Sequence, residues 1–228
     1  HAHGVAATYV GHPLADAIPL QAPRADARRT LGVAEDQALV AVLPGSRRSE
    51  IQYNAPVFLQ AVAVMHQRRP DLRFVLPLAP GLRSLVQPLI DLHAPGAPLV
   101  LTDGGSHTAL AACDVTLIAS GTATLEAALF RRPMVIGYKV HPISYQLMKR
   151  MAYQPWVGLP NILCRDFVVP ELLQHDCTPA ALADATLAWL DHPQRATQLR
   201  SRFEDLHHQL RQDTARRATD AIAQALQA

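Results

Sequence analysis

Short apolar runs that alternate with helix-length amphipathic segments are the feature that most constrains the fold of this 228-residue chain. Candidate strands of this kind lie near residues 6–10, 38–43, 73–78, 98–102, 114–118 and 133–139. Helical patterns lie near residues 24–32, 51–65, 82–93, 106–112, 121–131 and 142–152. Such alternation is typical of βαβ units, in which helices cover both faces of a parallel sheet. We therefore predict an α/β fold with a Rossmann-like parallel sheet.

The most regular helical pattern lies between the second and third candidate strands. Apolar residues recur there at helical spacing, at Ile51, Ala55, Phe58, Leu59, Val62 and Met65. The sequence Ser49-x-x-Gln52 has the pattern of a capping box, in which two side chains satisfy the backbone N–H groups of a helix start. We predict that this box begins the helix.

The C-terminal part of the chain is predicted to be helical. After about residue 164 no further strand is predicted, and three helical patterns follow. One of them carries an apolar stripe formed by Leu199, Phe203, Leu206 and Leu210. Such a stripe must be buried against another surface. We predict a Rossmann-like domain over residues 1–163 and C-terminal helices over 164–228 that pack on the domain or on a partner.

Composition excludes several classes of protein. Apolar residues make up 49% and charged residues 18%, which is typical of a globular chain and not of a disordered one. No apolar run approaches the roughly 18 residues that a membrane-spanning helix needs. The 21 basic and 19 acidic residues leave a net charge of +2, too balanced for non-specific nucleic-acid binding. We expect no nucleic-acid partner.

Cysteine usage and the first residues indicate where the protein works. The three cysteines are scattered and odd in number, which fits a reducing compartment, so we expect a cytoplasmic protein. The chain begins with His-Ala-His-Gly, without an initiator Met or a signal-peptide pattern. We therefore expect it to be part of a longer protein.

A glycine-containing turn follows the second candidate strand, with the sequence LPGSRRSE over residues 43–50. Ligands of open α/β sheets bind at the carboxyl ends of the strands. Gly45 permits a sharp turn, the helix start offers unpaired N–H groups, and Arg47 or Arg48 adds a forked cation. This pattern favours a phosphate site, and the alternative is an ordinary turn whose two arginines face solvent.

A second turn of similar chemistry has the sequence LIASGTATLE over residues 117–126. Its small residues allow a ligand to approach closely, and we predict that Ser120 or Thr122 caps the helix that follows. The dipole at that helix start favours an anion such as a diphosphate. Glu126, one turn further on, either accepts hydrogen bonds from ribose hydroxyls or merely complements the helix dipole.

Signatures of other functions are absent from the sequence. It has no G-x-G-x-x-G after a strand and no G-x-x-x-x-G-K-[ST] loop, which argues against kinase, ATPase and nicotinamide-dependent functions. The eleven histidines are dispersed apart from His207-His208, so we expect neither a metal site nor a cofactor. The usual hydrolase motif G-x-S-x-G is also missing.

Two further features each allow two interpretations. Residues 138–156 mix aromatic and basic side chains, which suits a membrane–water interface but equally a helix that packs on the sheet with its cations exposed. Asn161 lies on a predicted loop near the strand ends, where it either orients a ligand or bonds its own turn.

Taken together, five segments of this sequence resemble the lipid-A-disaccharide synthase family, and the resemblance extends over the whole chain. The segments are GHPLAD at 11–16, LPGSR at 43–47, ASGTA at 119–123 followed by Leu125-Glu126, PMVIGY at 133–138 and LPN at 159–161. The resemblance implies one half of a GT-B glycosyltransferase, with a UDP-sugar donor-binding domain over residues 1–163.

The resemblance also implies a reaction and a set of site residues. The reaction is an inverting transfer of 2,3-diacylglucosamine from UDP to 2,3-diacylglucosamine 1-phosphate (lipid X), which gives lipid A disaccharide 1-phosphate and UDP. Arg47 and Asn161 are the implied catalytic residues, Glu126 would hold the ribose, and the general base is expected in the half outside this chain. Without that half, the chain is expected to bind UDP but not to transfer sugar. The implied donor-binding residues are Gly45, Ser46, Arg47, Ser120, Gly121, Thr122, Ala123, Glu126, Tyr138 and Asn161.

The implied partners are the UDP-diacylglucosamine donor, lipid X as acceptor, and a second copy of the chain bound through the C-terminal helices. Peripheral contact with the inner face of the cytoplasmic membrane is also implied, because both substrates are acylated. Two alternatives stay open at this point. One is another UDP-N-acetylglucosamine-using GT-B enzyme, such as a peptidoglycan glycosyltransferase or a 2-epimerase, and the other is a non-catalytic nucleotide-binding or oligomerisation module.

Overall fold

The computed structural model describes residues 7–141, 145 and 154–227, and these contain six strands in one sheet. The strands are β1 Leu39–Leu43, β2 Arg73–Leu78, β3 Leu99–Asp103, β4 Val115–Ala119, β5 Met134–Tyr138 and β6 Glu171–Leu173. Their order across the sheet is β3-β2-β1-β4-β5-β6, and every neighbouring pair is parallel. The predicted Rossmann-like sheet is confirmed, and β1 to β5 lie within one residue of their predicted positions.

Helices cover both faces of this sheet. The described helices are α1 Pro13–Ala17, α2 Arg24–Leu31, α3 Arg48–Arg68, α4 Arg83–His93, α5 Ser106–Ala112, α6 Thr122–Leu129, α7 Leu159–Cys164, α8 Pro179–Asp191, α9 Pro193–Leu210 and α10 Thr214–Gln227. α3 packs against α4 and α8, and α5 packs against α2 and α6 on the other face. The helix predicted over 142–152 lies outside the described residues, apart from Tyr145. No helix in the described ranges is long and apolar enough to cross a membrane.

Strands β1 and β4 form the centre of the sheet. All five residues of each strand are buried, the pattern of a parallel sheet that is covered on both sides. Their register pairs Val40 with Val115 and Leu43 with Ile118. The two strands therefore end at the same edge. The strand order reverses between them, and at such a switch point the loops diverge and open a crevice.

Two strand predictions are wrong. Residues 7–10 form no strand, because this segment is largely exposed and the six strands pair without it. The prediction that strands cease after residue 164 fails because β6 pairs with β5, from Ile136 opposite Glu171 to Tyr138 opposite Leu173. With only three half-buried residues, β6 is too short to show a periodic pattern. The sheet consequently crosses the predicted boundary at residue 163.

The start of α3 differs from the predicted capping box. The helix begins at Arg48, with Arg47 as its N-cap residue, so Ser49 and Gln52 already lie inside it. The carboxylate of Glu50 supplies the cap and accepts a hydrogen bond from the backbone N–H of Arg47 at 3.2 Å. Glu50 thus takes the role predicted for Gln52, and its carboxylate forms a stronger, charge-assisted bond than a glutamine amide, which favours the earlier start.

Two short helices, α1 and α7, are also missing from the prediction. Each carries a proline in its first turn, Pro13 in α1 and Pro160 in α7, where the missing N–H costs nothing. Helices of five or six residues complete too few turns to reveal a periodicity.

The apolar stripe of α9 is buried within the chain. Its four residues each have less than a tenth of their surface exposed: Leu199, Phe203, Leu206 and Leu210. α9 packs against α1, α6 and α8, and His207 Nε2 on this helix lies 2.9 Å from the carbonyl oxygen of Ala15. Of the two predicted outcomes, packing on the domain is the one observed, so the stripe gives no argument for a partner.

Candidate functional site

A cavity of about 540 Å³ lies at the carboxyl edge of the sheet, where the loops after β1 and β4 leave it. The ends of β2 and β5 and the loop before α5 complete its wall. Nine of the ten predicted donor-binding residues line it: Gly45, Ser46, Arg47, Ser120, Gly121, Thr122, Ala123, Glu126 and Tyr138. Two loops that are distant in the sequence therefore form one concave site.

Gly45 and Glu50 shape the first loop. Gly45 has a φ of +131°, in the region that favours glycine, and a Cβ built on it would lie 2.7 Å from Glu50 Oε2. The Glu50 carboxylate accepts hydrogen bonds from the backbone N–H groups of Ser46 at 2.8 Å and Arg47 at 3.2 Å. Glu50 thus holds the loop, although it is not among the predicted donor-binding residues.

Arg47 brings a positive charge to the cavity. Its Nη1 lies 3.0 Å from Glu50 Oε1, with the Arg47 side chain 80% exposed and that of Glu50 16% exposed. An exposed ion pair of this kind contributes only about 0–1 kcal/mol. The guanidinium can therefore leave Glu50 easily when an anion enters. Of the two adjacent arginines, Arg47 lines the cavity and Arg48 does not.

The second loop brings the start of α6 to the cavity. Gly121 is the N-cap residue, with a φ of +154°, and no atom lies within 4 Å of a Cβ built on it. No side chain of residues 7–141, 145 and 154–227 caps the helix, so the predicted capping by Ser120 or Thr122 is wrong. Ser120 precedes the cap position, and its Oγ donates instead to the carbonyl oxygen of Val157 at 3.3 Å. Within the described structure the first N–H groups of α6 therefore have no side-chain acceptor, and the helix dipole adds partial positive charge.

Glu126 lines the cavity one turn into α6, with its side chain 20% exposed. His107 Nε2 lies 3.5 Å from Glu126 Oε2, and the His107 ring packs edge-on against Phe130 with the ring centres 5.2 Å apart. The imidazole is thus placed to orient the carboxylate. His107 is not among the predicted residues, because a lone histidine in a dispersed set gives no signal in the sequence.

Tyr138 borders the cavity at the end of β5 and is half-buried. Burial raises the pKa of its phenol, the Glu50 carboxylate raises it further, and Arg47 lowers it. The phenol is therefore neutral near physiological pH, and it offers a ligand a hydroxyl group and no charge.

Asn161 is the predicted residue that the structure does not bring into the cavity. It is fully buried in α7, where its Oδ1 accepts from the Val169 N–H at 3.0 Å. Its Nδ2 donates to the Val169 carbonyl at 2.9 Å and to Glu171 Oε1 at 2.8 Å. Glu171 in turn accepts from the N–H groups of Val157 and Gly158. A buried amide needs such partners, so its predicted contact with the donor is not supported. Asn161 instead stabilises the loop beside Ser120.

The fold defines the class of the protein, a Rossmann-like domain of the GT-B glycosyltransferase type. A solved structure of WaaG, a glycosyltransferase involved in lipopolysaccharide biosynthesis, matches 87% of this chain and 50% of its own, with a TM-score of 0.59 and 14% identity. Anabaena Alr3699/HepE, solved in complex with UDP-glucose, matches 89% of this chain and 52% of its own, with a TM-score of 0.56 and 18% identity. These likenesses show the shared fold.

Sequence comparison identifies the family. The family model described as lipid-A-disaccharide synthetase matches residues 1–226. The lipid-A-disaccharide synthase of Albidiferax ferrireducens is 54% identical over 229 residues, which cover 99% of this chain and 59% of that protein. The chain belongs to the lipid-A-disaccharide synthetase family and spans somewhat more than half the length of this relative. Membership of this family decides against the peptidoglycan glycosyltransferase and 2-epimerase alternatives.

Proposed function

We propose that this chain is the donor-binding portion of a lipid-A-disaccharide synthase. The whole enzyme would transfer 2,3-diacylglucosamine with inversion from UDP to 2,3-diacylglucosamine 1-phosphate, releasing UDP and lipid A disaccharide 1-phosphate. The observation that carries the proposal is the convergence of the Arg47 loop and the start of α6 on one cavity. Family membership supports it, and a volume of about 540 Å³ is in the range of small-molecule and cofactor sites.

The diphosphate of the donor would lie at the start of α6. The N–H groups of a helix N-terminus bind anions, and no described side chain competes for them here. Gly121 leaves open space beside them. Negative charge develops on the β-phosphate as its bond to the sugar breaks during transfer. N–H groups that are already held in place stabilise that charge without reorganisation.

Arg47 would supply a second source of positive charge that stabilises the diphosphate. A diphosphate carries more negative charge than the Glu50 carboxylate and presents paired oxygens to the guanidinium fork. Arg47 would therefore move from Glu50 to the phosphate and stabilise the leaving UDP. Glu50 keeps its hydrogen bonds to the backbone N–H groups of Ser46 and Arg47, so the loop retains its shape.

The nucleoside would lie beside Glu126. The Glu126 carboxylate, oriented by His107 at 3.5 Å, would accept hydrogen bonds from the ribose hydroxyls. Tyr138 would offer its neutral hydroxyl from the β5 side. The similar fold of HepE, whose structure contains UDP-glucose, supports a UDP-sugar as the class of ligand.

Titration of UDP by isothermal titration calorimetry tests the proposal. Arg47→Ala and Glu126→Ala each remove a contact worth about 1–3 kcal/mol, so each should weaken UDP binding about fivefold or more. Arg48→Ala is the matched control, because Arg48 is adjacent to Arg47 but does not line the cavity, and it should bind UDP like the parent. Equal UDP affinity in all four proteins, or no binding by any, would refute the proposed site.

Residues 1–228 alone should bind UDP without transferring sugar. Transfer requires a general base that takes the proton of the acceptor hydroxyl, and this chain spans 59% of its matched relative. All residues proposed here to contact the donor lie within 1–163. Formation of the disaccharide from both acylated substrates by this chain, detected by mass spectrometry, would contradict this expectation.

A homodimer formed through the C-terminal helices, and peripheral contact with the cytoplasmic face of the inner membrane, complete the proposal. Helix α10 supports the dimer, since Ile222 is 61% and Leu226 83% exposed on it. The acyl chains of both substrates support the membrane contact. Sedimentation velocity should detect a dimer that Ile222→Glu with Leu226→Glu converts to a monomer, and an unchanged mass would argue against this surface.

A further inference from the structure

A second cavity, of about 420 Å³, lies at the opposite end of β4 from the donor site. Its wall is formed mainly by four arginines, Arg24, Arg131, Arg132 and Arg200. Asp114, the residue before β4, is the acidic residue of the lining. The five residues of β4 span about 17 Å at roughly 3.3 Å per residue, so a ligand here is separate from one in the donor site.

Three of the four guanidiniums have partners in the protein. Arg24 and Arg132 each donate two hydrogen bonds, of 2.7 to 3.0 Å, to backbone carbonyls at the C-terminal end of α5. Arg24 also pairs with Asp114 at 2.8 Å, and Arg131 pairs with Glu204 at 2.7 Å. The C-terminal end of α5 carries the partial negative charge of the helix dipole, so Arg24 and Arg132 have a structural role there.

Arg200 has no such partner. It is half-buried on α9, its Nε is inaccessible and makes no hydrogen bond, and it forms no ion pair within the described part of the chain. Burial lowers the pKa of Arg132, and the neighbouring charges of Arg24 and Arg200 lower it further, against the opposing effects of Cys113 and Asp114. The positive charges of Arg24 and Arg200 therefore repel that of Arg132.

The charges of this cavity are not balanced. Asp114 pairs with Arg24 and also lies 3.6 Å from Arg28, and Glu204 pairs with Arg131. With Arg132 bonded to the carbonyls of α5, the positive charge of Arg200 is the one left without a carboxylate partner within the described residues. A half-buried cation without a counter-charge is energetically unfavourable. An anion that enters the cavity would remove this penalty and satisfy the buried Nε of Arg200.

We propose that this arginine-lined cavity is a second anion site that binds a phosphate group. Guanidinium forks match the oxygens of phosphate with paired, charge-assisted hydrogen bonds. The phosphate would belong either to a soluble phosphate ester or to the headgroup of an anionic lipid, which present the same chemistry. Arg200 is the residue on which binding depends most, since its Nε has no other partner in the described part of the chain.

Inorganic phosphate is the first probe, measured by calorimetry and thermal shift at constant ionic strength. Arg47→Gln serves as the parent protein, because it removes the cation of the donor site. Adding Arg200→Gln should weaken phosphate binding about tenfold or more, the effect of one lost charge-assisted contact. Adding Arg195→Gln is the matched control on the same helix, since its guanidinium lies 4.5 Å from the Trp189 ring, and it should bind phosphate like the parent.

The source of the phosphate group is distinguished by two further probes. Glucose 1-phosphate represents soluble esters, and phosphatidylcholine vesicles with and without phosphatidic acid represent a lipid headgroup. A loss of binding to either probe in the Arg200→Gln protein, but not in the Arg195→Gln protein, supports the site and identifies the source.

Two results would overturn the proposal. One is equal binding of all probes by the Arg200→Gln and Arg195→Gln proteins, or no binding of any probe by the parent. Either outcome would favour an acidic polypeptide segment as the occupant.

The other result concerns the stability of the protein without phosphate. Since the Nε of Arg200 has no hydrogen-bond partner among the described residues, Arg200→Gln should melt at or above the temperature of the parent. A lower melting temperature, or failure to fold, would show that Arg200 is already partnered.

Discussion

The carboxylate of Asp16 accepts a hydrogen bond from the backbone N–H of Thr214 at 2.7 Å, across 198 positions of the sequence. Thr214 is the first residue of α10, so Asp16 satisfies one of the N–H groups that a helix start leaves unpaired. Nearby, Gly11 lies so close to Leu210 that a Cβ on it would be 2.7 Å from the Leu210 carbonyl oxygen. The GHPLAD segment therefore joins the N-terminal part of the chain to its last two helices.

Asp16→Ala should loosen α10 without affecting the donor cavity. The substitution removes the acceptor at the helix start, and we expect severalfold faster amide hydrogen exchange over residues 214–227. Asp16→Asn keeps one acceptor oxygen and should retain most of the protection. UDP affinity should be the same in all three proteins. Unchanged exchange over 214–227 in the alanine variant would show that α10 does not depend on this bond.

Gly121→Ala should combine a loss of stability with a loss of UDP binding. An L-residue at a φ of +154° is strained by about 1–3 kcal/mol, and its Cβ would project into space that the proposed diphosphate needs. Gly32→Ala is the matched control, because Gly32 also has a positive φ, of +66°, and open space around it, but ends α2. Urea unfolding should show both variants destabilised, and calorimetry should show UDP binding weakened only by Gly121→Ala. Equal UDP affinity in the two variants would argue against a diphosphate at this position.

The sheet and most of the cavity are predictable because the signals that specify them are local. An apolar run predicts β1, and a second run, interrupted only by Thr116, predicts β4; parallel strands place their following loops at one edge. These two rules alone bring Arg47 and Glu126 to the same cavity.

The features that sequence reasoning missed depend on contacts between distant residues. Asn161 has the polarity of a ligand contact, and only its pairing with Val169 and Glu171 shows that its amide is already used. Likewise, Glu50 and His107 acquire their roles from the geometry of the folded loops. The three-residue strand β6 forms because β5 offers an unpaired edge. The sequence around residues 171–173 does not show that this edge is available.

Asn161→Ala should affect stability more than ligand binding. It leaves the Val169 N–H and the Val169 carbonyl without this buried partner, at about 1–3 kcal/mol for each group left unpaired, and it removes one of the two hydrogen bonds to Glu171 Oε1. We therefore expect a clear drop in the free energy of unfolding, with UDP affinity of the folded protein changed less than about threefold. Asn161→Asp keeps the acceptor for the Val169 N–H but places two carboxylates together, and should also be destabilised. Selective loss of UDP binding at unchanged stability would restore a direct role for Asn161 at the donor.

The three cysteines should differ in reactivity. Burial raises the pKa of Cys113 and of Cys177 to about 11, so at about pH 8 only about one in a thousand of these thiols is the reactive thiolate. Burial also raises the pKa of Cys164, but this residue is only partly buried and Arg202 opposes the rise. Ellman's reagent should therefore modify one thiol rapidly in the native protein and three after unfolding. The rapid phase should accelerate as pH rises and disappear in Cys164→Ser, whereas three equal rates would contradict the burial of Cys113 and Cys177.

Glu50→Gln should strengthen UDP binding. The glutamine oxygen can still accept from the backbone N–H groups of Ser46 and Arg47, but the negative charge that holds Arg47 and repels a diphosphate is gone. Release of an exposed ion pair allows a gain of up to about fivefold in affinity, and the gain should shrink at high salt because the charges are then screened. Glu50→Ala is the comparison that separates charge from shape: it also removes the acceptor, so the loop loses both hydrogen bonds and UDP should bind more weakly than to the parent. Weaker UDP binding by the glutamine variant would mean that the carboxylate itself contacts the ligand. It would also contradict the proposed movement of Arg47 from Glu50 to the diphosphate.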